Sequence, residues 1–341
     1  MLAIAIVPRL SKELGIRSRP LAEQTGKSGE LRTLEEGCQG VCKRRSGSGS
    51  ERGSPGLLAV GKLRWLPVYR PNVRMQGSMS HSPTSGNRSP TPRIGIPWRT
   101  TKEQRQGERK KLDDYFRSVI RAGAQPLAIT LDQAPVPLAA QLSGLDGFVL
   151  PGSPTDIDPS RYGATKHPKT NELDGDRDRT DLAILDHAFA TAKPVLAICF
   201  GCQVLNVYLK GTLIQDLRTE RPESIAHGDT DLPSGVTKRD IEHSVDFVGG
   251  SVLARLNGTT AGKINSSHHQ AIDKPGDNLR VTAKAADGTA EGVEWTGGAN
   301  WVVGVQWHPE RLPDDVLSQR LFAEFVTAAA RSVRDSIVQK A

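Results

Sequence analysis

Cysteine is scarce in this chain: four residues of 341, at Cys38, Cys42, Cys199 and Cys202. So few thiols exclude a disulfide-dense secreted scaffold and point to a reducing compartment, so the cytoplasm is the expected location. Cys38 and Cys42 stand close together with no second ligand pair at zinc-like spacing, and they read as free thiols. Long hydrophobic runs are lacking as well. No stretch approaches the roughly 20 apolar residues that span a bilayer, so no membrane association is expected. Leu2–Val7 is a short apolar run with no basic residue ahead of it and Pro8 behind it, a poor secretory signal. Aspartate is missing from residues 1–92, which hold 15 Lys and Arg against 6 Glu. Those glutamates argue against an organellar transit peptide.

The charge is uneven. Residues 1–92 carry a net charge of +9 and the remainder −2, so the pI near 9.3 belongs to the leader. Nucleic-acid binding by the folded part gains no support from it. The leader is low in complexity, as in Ser46-Gly47-Ser48-Gly49-Ser50 and Ser80–Pro92. Such a composition cannot bury enough apolar surface to offset chain entropy, and disorder is expected over 1–92. Met75 and Met79 would each serve as a start shortly before the first strand, and removal of residues 1–78 is expected to leave activity intact.

From Arg93 the pattern changes to alternating strands and helices. Ile94–Pro97, Gln125–Thr130, Gly147–Leu150 and Val195–Ile198 read as short buried strands. Glu103–Ala122 reads as one helix with Leu112, Tyr115, Phe116, Val119 and Ile120 on its apolar face, ended by Gly123. Leu138–Ser143, Asp181–Ala192, Gln203–Lys210 and Leu317–Ala330 read as further helices. Gly292–Trp295 and Trp301–Gln306 flank a Thr-Gly-Gly-Ala-Asn turn and read as a hairpin. The alternation predicts an α/β fold of three layers, a mainly parallel central sheet covered by helices on both faces. One domain is expected over 93–334, followed by a tail at 335–341.

The chemistry centres on Cys199. The apolar run Val195–Ile198 stops at this cysteine and a helical pattern follows. A cysteine at a sharp strand-to-helix turn lies over the first helical N–H groups, which favour a thiolate. The Phe200 N–H is well placed to donate to an oxyanion. Gly152 and Ser153, at the end of the third strand, are candidates for the second backbone donor. The base is His308 in Gly304-Val305-Gln306-Trp307-His308-Pro309-Glu310, where a strand ends, and Glu310 can return to the ring and set its tautomer. This is triad logic in the order Cys, His, Glu. Cys202 reads as core. Adjacent histidines in a strand point to opposite faces, so His268 and His269 read as a site-edge loop and not as a metal pair.

These segments resemble class I glutamine amidotransferase-like proteins and, more narrowly, the γ-glutamyl-γ-aminobutyrate hydrolase family. The elbow around Cys199, Gly201 and Gln203 and the His308/Glu310 pair are shared by the superfamily. Pro151–Pro154, Asp158–Gly163, Arg177-Asp178, Asn206-Val207, Gly211–Asp216, His243–Val245 and Asn265–Gln270 are closer to the hydrolases. The resemblance implies a flavodoxin-like fold and a cysteine hydrolase that cleaves a γ-glutamyl amide through a γ-glutamyl thioester, in the breakdown of γ-glutamylated amines such as those from putrescine. It marks Gln203, His243, Ser244, Val245, His268 and His269 as candidate substrate-binding residues. It implies no metal or organic cofactor, a small-molecule substrate, and a homo-oligomer as one expected state. Ala197, Phe200, Cys202 and Asp181 depart from the family pattern, and Phe200 bears on the choice of amine. Two other readings use the same fold: a glutaminase component that passes ammonia to a partner synthetase, and a non-catalytic binding or regulatory protein.

Overall fold

Short runs of aliphatic residues bounded by glycine or proline become strands of one mixed eleven-stranded sheet in the computed structural model, which describes residues 91–228 and 241–338, with side chains through 332. Nearly all of the leader and residues 339–341 lie outside the described residues, and so do the expectations for them; residues 335–338, expected as tail, continue α8. In chain order the elements are β1 (Arg93–Pro97), α1 (Thr101–Gln106), α2 (Leu112–Arg121), β2 (Gln125–Ile129), α3 (Pro135–Ser143), β3 (Gly147–Leu150), α4 (Gly175–Ala190), β4 (Val195–Ile198) and α5 (Phe200–Tyr208). Then follow β5 (Thr212–Ile214), α6 (Leu217–Glu220), β6 (Ile241–Phe247), α7 (Val252–Asn257), β7 (Ala261–Ser266), β8 (Ala271–Lys274), β9 (Leu279–Ala285), β10 (Ala290–Trp295), β11 (Val302–Val305) and α8 (Val316–Val338).

From one end the sheet runs β2-β1-β3-β4-β11 and every pairing within this part is parallel. Numbered among themselves these strands have the order 2-1-3-4-5 of flavodoxin-like sheets, which bind ligands beyond the strands' carboxyl ends. Past β11 the sheet continues through β10, β9, β6 and β7 in antiparallel pairs. The expected hairpin is the β10–β11 pair, with Gly292 opposite Val305.

Strand β4 shows why its sequence is apolar throughout. Leu196 and Ile198 face one core, shared with Leu112 and Val119 of α2 and Phe322 and Phe325 of α8. Val195 and Ala197 face the other, with Leu142 of α3, Ile184 and Leu185 of α4 and Leu205 of α5. A strand covered on both faces has no polar side to show.

Several expected helices differ in outline, among them α5, which begins at Phe200, and α8, which runs on to Val338. Glu103–Ala122 is not continuous: α1 ends at Gly107, whose φ of 67° is left-handed, and α2 begins at Leu112. The residues from Glu108 to Lys111 are charged, so nothing in them bridges the break hydrophobically. Ile120, placed on the apolar face by spacing, is 60% exposed. Helix α4 starts at Gly175, ahead of Asp181, because the Asp174 side chain caps it by accepting the Arg177 N–H.

Candidate active site

Strand β4 ends at Cys199, where the chain turns at φ 53° and ψ −109° before entering α5. A non-glycine residue in such a region costs on the order of 1–3 kcal/mol and persists only where its surroundings hold it. Two hydrogen bonds do so. The Cys199 N–H donates to the Val305 carbonyl at 2.8 Å, and its carbonyl accepts the Gln203 N–H at 3.1 Å. Gly201 allows the turn to press on β3, since a Cβ there would stand 2.2 Å from the Leu150 carbonyl oxygen. The strain therefore sets one nucleophilic atom at the carboxyl edge of the sheet.

His308 follows the end of β11, the next strand. Its backbone is clamped by Asn265 of β7, whose amide donates to the His308 carbonyl at 3.0 Å and whose Oδ1 accepts the His308 N–H at 3.1 Å. Glu310 Oε1 lies 2.7 Å from Nδ1. A carboxylate accepts only, so Nδ1 carries a proton and Nε2 is the working nitrogen. Cys199 stands beside this ring, close enough for its charge to act on it. An Arg311 nitrogen also reaches Nε2, at 3.2 Å. Burial lowers the imidazole's affinity for a proton, but the charges of Glu310 and Cys199 outweigh it and raise His308 to about 9. Burial works to raise Glu310, and His308 overcomes it and holds the carboxyl below its usual range. The arrangement can take a proton from sulfur, hold it, and return it to a leaving group.

Gly152 fits between the two. A Cβ there would lie 2.9 Å from His308 Cε1 and 3.5 Å from Cys199 Cβ. Its N–H, expected as an oxyanion donor, instead donates to Tyr115 Oη at 3.0 Å, and its carbonyl accepts from Arg99 Nε at 2.9 Å. In this arrangement Gly152 N–H is engaged elsewhere, which leaves the Ser153 and Phe200 N–H groups as candidate donors. Burial raises the Tyr115 phenol well above its ordinary value, so it stays protonated.

Beneath the loop lies a fully buried Arg177. It contacts Asp181 at 2.8 Å and donates to the carbonyls of Arg99 at 2.8 Å and Pro151 at 2.6 Å. Its guanidinium also sits 4.9 Å above the centre of the Phe200 ring. Asp181 thus pairs with the arginine inside the core. Cys202 packs in the core against Gly304, as expected of it.

Cys199 opens on a cleft of 740 Å³ whose lining includes Phe200, Gln203, Lys169, Arg218, Asp156 and Asp216. His268 and His269 also line it and diverge: His269 Nε2 meets Asp156 at 3.0 Å, while His268 turns inward, to within 3.6 Å of Glu291. The structure does not bring the His243–Val245 segment to the cleft. His243 packs against His227, Ser244 is exposed on β6, and Val245 belongs to the core. Alternation along β6 explains this, since only odd positions face inward. The clamp by Asn265 and the support by Tyr115, Arg99 and Arg177 were not evident from spacing, because each acts across dozens of residues.

The family model described as "Peptidase C26" matches residues 92–310. A "Putative glutamine amidotransferase" of Mycobacterium tuberculosis is 39% identical over 220 residues, covering 64% of this chain and 67% of that one. A "Gamma-glutamyl-gamma-aminobutyrate hydrolase" of Escherichia coli is 34% identical over 227 residues, covering 65% of this chain and 87% of that one. A solved structure, described as a "putative gmp synthase subunit a protein" of Thermoplasma acidophilum, aligns with a TM-score of 0.52 at 16% identity over 74% of this chain and 98% of that one. At that identity the likeness concerns the fold.

Proposed function

Since the chain belongs to the peptidase C26 family of glutamine amidotransferase-like hydrolases, we propose that it hydrolyses the γ-glutamyl amide bond of γ-glutamylated amines, with Cys199 as nucleophile, His308 as acid and base, and Glu310 as the group that orients His308. The observation that carries this reading is the convergence of Cys199 and the His308–Glu310 pair around Gly152, with Cys199 open to the cleft. The relatives named as γ-glutamyl-γ-aminobutyrate hydrolases support the substrate class. So does the cleft itself. Lys169 and Arg218 stand with Asp156 and Asp216 around it, side chains of both signs for the α-carboxylate and α-ammonium of a γ-glutamyl group.

The steps follow from the geometry. The Cys199 sulfur attacks the γ-carbonyl carbon, and the resulting oxyanion takes hydrogen bonds from Phe200 and Ser153 N–H groups. His308, carrying the former thiol proton, passes it to the amine nitrogen as the C–N bond breaks. A γ-glutamyl thioester remains. Water then attacks that carbonyl, His308 takes a proton from it, and collapse releases glutamate and regenerates the sulfur. A panel of γ-glutamyl amides, read by glutamate release, tests the reading. Turnover of γ-glutamylated amines by the chain alone is expected. Cleavage of glutamine that requires an added synthetase, with no turnover of the amides, would contradict it.

A further inference from the structure

Away from the sulfur, three histidines converge on one buried carboxylate. His227 lies in the segment before residue 229, His243 on β6, His268 after β7, and Glu291 on β10. His227 Nδ1, His243 Nε2 and His268 Nε2 stand 3.2, 3.4 and 3.6 Å from the same atom, Glu291 Oε1. Glu291 and His227 are fully buried, and His268 and His243 nearly so. The proposed catalytic steps use none of the four side chains.

The opposite edge of each ring decides what faces the carboxylate. His243 Nδ1 lies 3.1 Å from the Ser244 carbonyl, and His268 Nδ1 lies 2.9 Å from the Gln270 carbonyl. His227 Nε2 lies 2.9 Å from Asp287 Oδ2. Carbonyl and carboxylate oxygens only accept, so those ring nitrogens carry the protons. In a neutral ring the other nitrogen then offers a lone pair. Three such nitrogens around one anionic oxygen make a donor set for a cation. Among the described residues, neither Glu291 oxygen takes part in a hydrogen bond of acceptable geometry. A buried carboxylate left in that state is costly.

A cation between the donors removes that cost. Four ligands about 2.05 Å from a tetrahedral ion lie about 3.3 Å from one another. The nitrogen–oxygen separations to Glu291 of 3.2, 3.4 and 3.6 Å fall around that edge length. The donor atoms of His227, His243 and Glu291 all lie within 4.8 Å of one another. Acceptors behind each ring are what orient metal-bound histidines, and a set of imidazoles with one carboxylate suits zinc-like ions rather than calcium or magnesium.

We propose that His227, His243 and Glu291, with His268 closing the fourth position, form a structural site for a zinc-class divalent ion. The rings of His268 and His269 diverge, so the proposed set takes only His268 from the two. The ion would join the segment carrying His227 and Gly228 to β6, β10 and the Ser267–Gln270 stretch. Gly228 and that stretch line the cleft, so metal binding would firm its wall. With His268 in the fourth position, the site would hold structure and supply no nucleophile.

The test uses the full chain, purified through a tag that binds no metal, stripped with chelator and titrated with zinc(II) or cobalt(II). About one zinc per chain should survive desalting and raise the melting temperature. Cobalt should give the intense visible bands of a tetrahedral nitrogen–oxygen site, without a thiolate charge-transfer band. Glu291→Gln and His243→Gln should each weaken zinc binding at least about 100-fold, and Asp287→Asn about 10–100-fold. Absence of stoichiometric zinc in the wild-type chain would overturn the proposal, as would a thiolate band or unchanged affinity in the Glu291 and His243 variants. Should those variants fail to fold, the cobalt spectrum of the wild-type chain decides.

Discussion

Glu310 Oε1 stands 2.7 Å from His308 Nδ1, both buried, and this contact sets the acid–base range of the site. It helps raise His308 to about 9, against burial. The sign follows from linkage. A group raised in the folded state contributes stability that is whole below its unfolded value near 6.5 and lost as pH rises through about 9. Glu310, held low, contributes stability present above its unfolded value near 4.5 and lost as pH falls through its folded value. Glu310→Gln should therefore move the alkaline limb of the kcat/KM profile from about 9 toward 6.5. A limb that stays in place would show that another group sets it.

Cys199→Ala and His308→Ala should each lower kcat by roughly 10⁴-fold or more, since such residues act as a unit. Glu310→Ala should cost less, because it orients the ring and carries no proton in transit. Steady-state glutamate release measures all three. Equal losses would contradict the division of roles.

Gly201→Ala should disrupt the elbow. Its methyl would stand 2.2 Å from the Leu150 carbonyl oxygen, a backbone atom that cannot rotate away. Strain of about 3 kcal/mol is expected, and β3 and α5 must part to relieve it. Urea unfolding reads the stability loss and turnover reads the displaced sulfur. Gly107→Ala is a useful contrast: its added Cβ meets nothing within 4 Å, although φ is positive there.

Arg177→Ala should destabilise by about 3–5 kcal/mol, because it leaves the buried Asp181 without its partner. It also frees the Pro151 carbonyl and the loop that carries Gly152. The double change Arg177→Met with Asp181→Leu should recover much of the stability but little of the turnover, since the loop still lacks its anchor. Equal recovery of both would assign the pair to stability alone.

The parts legible in the sequence share a physical cause. Cys199, Gly201, His308 and Glu310 lie within a few residues of strand ends, where apolar runs stop abruptly and the stop itself carries the signal. Strands β1, β3 and β4 were visible for the same reason. Gly107 was passed over because the charged stretch after it still fits a solvent-facing helix. His243 was drawn toward the cleft by its segment, although the alternation of β6 sends it into a buried cluster. That cluster joins a loop, two strands and the turn after a third, so no window of sequence contains it. The segment Asn265–Gln270 stands out in the sequence, but the clamp of Asn265 on His308 acts from across the sheet and is illegible there for the same reason.

The most direct measurement is rapid acid quench of the enzyme during turnover of a γ-glutamyl amide, followed by peptide mass analysis. One γ-glutamyl group on the peptide bearing Cys199, formed and lost at the rate of turnover and absent in Cys199→Ala, is the predicted result. Glutamate release at the wild-type rate by Cys199→Ala, or an acyl group found on another residue, would contradict it.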